Sequence, residues 1–315
     1  MFDIKMIGTQ TWLKGMTWVG IGMTALAVAL RLWLMPASED WQTGLFTSNY
    51  WVIGLILLGL AVLLVMRYFA GPLRREIDGT PSVAIALALL LSGAVMTVFG
   101  AMDMIDLIGV WEGMANAGIQ GILLALQHTF GVLGGLALAR FGWALLTEGA
   151  TRRGIAQWSI LAPVLWAWFR LVGYEMDYAS MVRIEDNFFG FVMLIVELLF
   201  LFRLARYASG IGRVSAGSLM WHAMATAIFS ISGPVVRLGM YLLQDKSAYD
   251  AYHLAGPTDM AVGVLALVVG IALLYGKEPG TQEDPLSEVL DKEAAEVVDL
   301  ASSDLLLGDT EEEAE

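Results

Sequence analysis

Three arginines, Arg31, Arg170 and Arg237, stand inside long apolar runs, where a charge is costly to place. A guanidinium kept from bulk water needs an anionic partner. Its planar fork grips a carboxylate or phosphate through two parallel hydrogen bonds. The expected chemistry is capture of an anionic group. The competing role is structural: each arginine snorkels to the interface or pairs with a nearby carboxylate. Trp166 and Trp168 flank the approach to Arg170 and offer it a cation–π face, with bulk packing as the plainer alternative. Glu197 lies near the middle of an apolar run. It reads as a proton-coupling residue or as a hydrogen-bonded staple between helices. His128, between Gln127 and Thr129, is the second proton-coupling candidate, or else a polar interhelical contact.

Other chemistries find little footing. The chain has no cysteine, which excludes thiolate catalysis and disulfides. His128, His222 and His253 form no paired-histidine motif, so no metal, haem or other cofactor is expected. Every lysine lies outside the apolar runs, leaving no residue for a retinal Schiff base. No Walker-type loop, nucleophile elbow or dinucleotide fingerprint occurs, and Ser209–Arg213 falls short of one. No catalytic residues are assigned.

The elements that must position these side chains are membrane helices. Apolar residues make up 57% of the chain and charged residues 16%, well below a soluble domain. Eight apolar runs are read, roughly Gly15–Leu34, Tyr50–Phe69, Ser82–Ala101, Gly118–Leu146, Ile155–Tyr174, Asn187–Arg203, Gly217–Leu243 and Gly256–Tyr275. In lipid each must be helical, because an unpaired backbone group is expensive there. Pro163 and Pro234 fall inside the fifth and seventh runs and predict kinks. The fold expected is an all-α integral membrane protein with eight transmembrane helices. Lysine and arginine concentrate at the N-terminus and in alternate connections, marked by Arg74, Arg75, Arg152, Arg153 and Arg213. Both termini are therefore expected in the cytoplasm of a bacterial cell, with the protein multi-pass in its cytoplasmic membrane. The first run follows Lys5 and Lys14 like a signal peptide, but it is long for one, so retention is expected.

Matches at a constant offset suggest an internal repeat. Arg31-Leu32 corresponds to Arg170-Leu171, Leu26 to Leu165, Arg67-Tyr68 to Arg206-Tyr207, and Gly71 to Gly210. Ser92-Gly93 and Ser232-Gly233 match after a one-residue insertion. Two parallel four-helix units are expected, 1–146 and 147–276, followed by a tail over 277–315. That tail carries nearly all of the net charge of −13, which leaves the membrane body almost neutral and nucleic-acid binding unsupported. Its acidic and apolar alternation reads as a mostly disordered extension able to fold onto a cytoplasmic protein.

Over Ala162–Leu171 (APVLWAWFRL) and Leu198–Tyr207 (LLFLFRLARY) the chain resembles uncharacterised polytopic membrane proteins of Gram-positive anaerobes. That resemblance implies a multi-pass fold and carries over no activity and no functional residue. The function expected from the residues is a transport or ligand-binding protein. Its outward-facing site would be lined by Arg31, Arg170 and Arg237, for an anionic small molecule or lipid headgroup in the surrounding bilayer. The alternative is a non-transporting scaffold or signalling subunit that recruits its partner through the acidic tail.

Overall fold

The computed structural model describes residues 3–40, 45–46, 50–70, 83–109, 118–147, 159–178, 184–209, 216–243 and 256–275. These belong to a compact unit, Met1–Gly276; a second unit, Lys277–Glu315, holds the acidic tail and lies outside the described residues. The described residues are almost wholly helical. The helices are α1 (Asp3–Ser38), α2 (Tyr50–Ala70), α3 (Val83–Gly109), α4 (Ile119–Thr147), α5 (Ala162–Tyr178), α6 (Ile184–Ser209), α7 (Ala216–Leu243) and α8 (Pro257–Tyr275). The one departure is a minimal antiparallel pair, Glu39–Asp40 against Leu45–Phe46. Each helix overlays one of the apolar runs, because such runs have long uninterrupted Leu, Val, Ala and Ile content and no internal turn chemistry. α1, α3 and α4 contain stretches long and apolar enough to cross a membrane.

α7 is the axis of the bundle. It packs against α8, α1, α6 and α2, and Ala223 to Ser230 are buried without a break. α8 also packs on α3, α3 on α4, and α4 on α5, which closes back onto α6. Phe200, Leu201, Met193 and Leu194 of α6 fill the centre of the core. By contrast Trp18, Trp33, Leu91, Ile105 and Trp143 stand exposed. Outward apolar faces of this extent suit hydrocarbon rather than water.

The α3–α4 contact is built on glycine. A methyl group at Gly93 would stand 2.5 Å from the Gly135 carbonyl oxygen, and one at Gly135 would stand 2.6 Å from the Gly93 oxygen. Only hydrogen at both positions lets the two backbones approach this closely. Between α3 and α8, Ser92 Oγ donates to the Ala261 carbonyl at 2.8 Å. Ser92→Ala is expected to lower stability by about 1 kcal/mol in detergent thermal unfolding, the worth of one buried interhelical bond.

Pro163 does not kink a helix. A 3₁₀ turn over Ser159–Leu161 precedes α5, which starts at Ala162, so Pro163 occupies the first turn. There its missing N–H has no intrahelical acceptor to lose. Pro234 does lie inside α7.

Candidate functional site

Buried charge collects where α5, α6, α7 and α8 converge. Arg170 sits halfway along α5, on the face shared with Trp166 one turn earlier. Its guanidinium carbon stands 5.1 Å from the Trp166 ring centroid. Trp166 is buried in turn against Gly131 of α4, where a side chain would crowd the indole.

The guanidinium fork is taken by Asp259. Arg170 Nη1 donates to Asp259 Oδ1, and Nη2 donates to Oδ2 at 2.9 Å. Asp259 lies in the first turn of α8, and its Oδ2 also accepts the Gly256 backbone N–H at 2.6 Å. One carboxylate thus caps the start of α8 and binds the charge on α5. Asp259 is fully buried, and so is Glu197, whose carboxylate stands 3.8 Å from Arg170 Nη1.

The remaining wall is α7. Thr226 Oγ1 donates to the Val196 carbonyl at 2.9 Å, which fixes the register of α7 on α6. Ser230, one turn further, then faces Glu197, as does Asp259. Neither Glu197 oxygen nor Ser230 Oγ has a hydrogen-bond partner among the described residues. Gly263 of α8 abuts Ser230 closely enough to bring the three helices together here.

Polar groups of α3 and α4 lie beside this cluster. Gly173, one turn beyond Arg170, approaches Gln127 of α4. The neighbouring His128 senses the charge of Arg170 and pairs through Nδ1 with Asp103 Oδ2 at 3.6 Å. The His128 side chain is 11% exposed and that of Asp103 is 55% exposed, so this pair reaches the surface at Asp103.

The other predicted residues are placed as follows. Arg31 is half-buried on α1, its guanidinium carbon 3.9 Å from the Phe189 ring centroid on α6. Phe189 and Glu197 are eight residues apart on α6, about 12 Å along its axis. Arg31 and Arg170 therefore touch the same helix at different levels and have unlike surroundings. Trp168 is 47% exposed and meets Phe169 edge-on at 5.2 Å, on a different face of α5 from Arg170. Arg237 lies in α7, and its side chain is outside the described residues.

Asp259 escaped the sequence reading. Four residues into the last apolar run, it looked like the edge of a span rather than part of a site. Pro257 at the first helical position with an acid two residues later is nonetheless a recognisable helix start.

Comparison with known proteins yields no match to any family model, to any curated protein or to any solved structure.

Proposed function

We propose that this is a multi-pass membrane transport protein in which Arg170, Asp259 and Glu197 form an anion- and proton-coupled centre. The observation that carries it is one guanidinium, on a side chain only 12% exposed, facing two fully buried carboxyls, one of which lacks a hydrogen-bond partner among the described residues. Fully ionised, this cluster would hold one uncompensated negative charge away from water, which is strongly unfavourable. A single proton shared by the carboxyl pair restores neutrality and turns Glu197 into a donor towards Ser230 or Asp259.

Coupling follows from the same count. An incoming carboxylate or phosphate that takes the Arg170 fork displaces Asp259. The freed Asp259 carboxylate, still buried, then takes up a proton. Each bound anion thus brings a proton with it, and Asp103 and His128 line its route from the surface. In this reading all eight helices cross the bilayer, with both termini cytoplasmic. Arg31 and Arg237 belong to the outward approach, the anion's first contact. The two halves descend from a duplicated unit whose second copy kept the working arginine.

The test uses purified protein in liposomes loaded with the pH dye pyranine. Phosphate, succinate and gluconate, all poorly permeant, are added outside. We expect the lumen to acidify with at least one of them, and Glu197→Gln to reduce that rate more than tenfold while the protein stays folded. No acidification with wild type, or unchanged rates in Glu197→Gln, would contradict the proposal.

A second reading is favoured by the closed Arg170–Asp259 fork, which as it stands fastens α5 to α8. A scaffold needs nothing more from that pair, and its function would lie in the tail's recruitment of a cytoplasmic protein. It is preferred if wild type moves no protons and deletion of residues 283–315 releases a stoichiometric co-purifying subunit.

A further inference from the structure

A second charged cluster lies at the far end of α6, where α6 ends, α7 begins and α2 ends. Arg67 is in the last turn of α2, and Arg206 in the last turn of α6. In those places the helix C-terminal carbonyls favour a cation. Arg203 lies one turn deeper and has no such help. Its charged neighbours are Arg206 and Arg67, both of like sign. His222, in the second turn of α7, is buried and has Arg203 and Arg67 as its own charged neighbours.

Among the described residues the three guanidinium groups have no carboxylate partner. Arg67 lies over the Trp221 ring, 6.0 Å from guanidinium carbon to centroid. The indole N–H of Trp221 is itself buried with no acceptor among the described residues. The His222 ring is held edge-on to Trp221 by Nδ1, 2.6 Å from the Ser218 carbonyl. Two helices thus bring three guanidinium groups to the start of a third, whose Trp221 ring lies beneath Arg67.

Like charges gathered without counter-charge destabilise the bundle until an anion joins them. The required anion has several acceptor oxygens in a tetrahedral spread, because the donors arrive from α2, α6 and α7 rather than from one side. A carboxylate satisfies one fork; a phosphate satisfies several at once. We propose that Arg67, Arg203, Arg206 and the Trp221 N–H form a phosphate-binding site separate from the Arg170 cluster. Its occupant is either the phosphodiester of an anionic lipid headgroup or free phosphate. Both bind through the same oxygens.

The experiment is native mass spectrometry of the full chain in detergent, with added phosphatidylglycerol in one arm and inorganic phosphate in the other. Wild type is expected to keep a single lipid, or a single phosphate if the occupant is the free ion. The Arg67→Gln/Arg203→Gln double variant should bind about thirtyfold more weakly, given the usual contribution of a basic residue at an anionic headgroup. Arg140→Gln, an exposed arginine elsewhere, should bind as wild type does. Arg203→Lys keeps the charge and loses the fork, and guards against a double variant that does not fold; it is expected to bind several-fold more weakly. The proposal is overturned if wild type holds neither probe, if the double variant or Arg203→Lys binds like wild type, or if Arg140→Gln loses as much as the double variant. None of these outcomes depends on proton coupling at Glu197.

Discussion

Replacing Asp259 with alanine is expected to destabilise the protein by about 3–5 kcal/mol, the cost of leaving a buried charge without its partner. The size follows from where the partner sits. Arg170 and Asp259 are joined by two hydrogen bonds, and Asp259 has no exposed surface. Little water reaches the abandoned guanidinium, because the Arg170 side chain is only 12% exposed. Glu197 also stands 3.8 Å from Arg170, but it is already part of the cluster. The variant also loses the bond from the Gly256 N–H, worth about 1 kcal/mol at a helix start. Asp259→Asn keeps a side chain that can cap and should separate the two contributions. Arg170→Met combined with Asp259→Leu removes both charges and fills the space, and should recover most of the loss. The measurement is unfolding by sodium dodecyl sulfate in mixed micelles, followed by circular dichroism. A double variant as unstable as Asp259→Ala would show that the pair is not the source of the cost.

Gly135→Val is expected to cost about 3 kcal/mol or more, because the extra carbons meet backbone rather than flexible side chain. At Gly135 even a first methyl would stand 2.5 Å from Thr97 N and 2.6 Å from the Gly93 oxygen. Both belong to the helix across the interface, so α3 and α4 must separate to admit it. That separation would also carry His128 away from Asp103, since those residues sit on the same two helices. Gly22, with nothing near it, is the internal control. Gly22→Ala should be neutral or gain about 0.5–1 kcal/mol through helix propensity. Thermal unfolding of the two variants in one detergent checks both at once. Equal stabilities would contradict the close packing of α3 on α4.

The elements of the fold were legible because lipid-compatible helices announce themselves by composition. Tyr50 opens both the second apolar run and α2, and the fourth run, from Gly118, differs from α4 by a single residue at each end. Gly118 adopts φ of 62°, a left-handed conformation that glycine takes easily, and so punctuates the chain there. Which helices touch was not legible. Nothing in α7 marks it as the axis except a modest run of Ala, Ser and Thr from Ala223 to Ser232, small enough to be surrounded.

The site was half visible. Arg170 was conspicuous as the lone charge of its apolar run, and Glu197 as a carboxylate near the middle of its own. The repeat suggested Arg31 as the natural mate of Arg170. The partner that occupies Arg170 is instead Asp259, from a helix 89 residues later, and no offset or spacing relates the two. The tryptophans were decidable from helical geometry alone. Trp166 is four residues from Arg170 and shares its face, whereas Trp168 is two residues away and does not. Arg67 and Arg206 entered the sequence only as matched positions of a suggested repeat, because the approach of Arg67 to Trp221 requires the helices to be packed first.

The central claim is that the buried carboxyl pair of Glu197 and Asp259 holds a proton opposite Arg170. Infrared difference spectroscopy of the purified protein in lipid, with wild type set against Glu197→Gln at neutral pH, tests it directly. The account predicts a protonated-carboxyl carbonyl band in wild type that shifts in deuterium oxide and disappears in Glu197→Gln. A wild-type spectrum with only ionised carboxylate bands, or a protonated band that survives unchanged in Glu197→Gln, would contradict it.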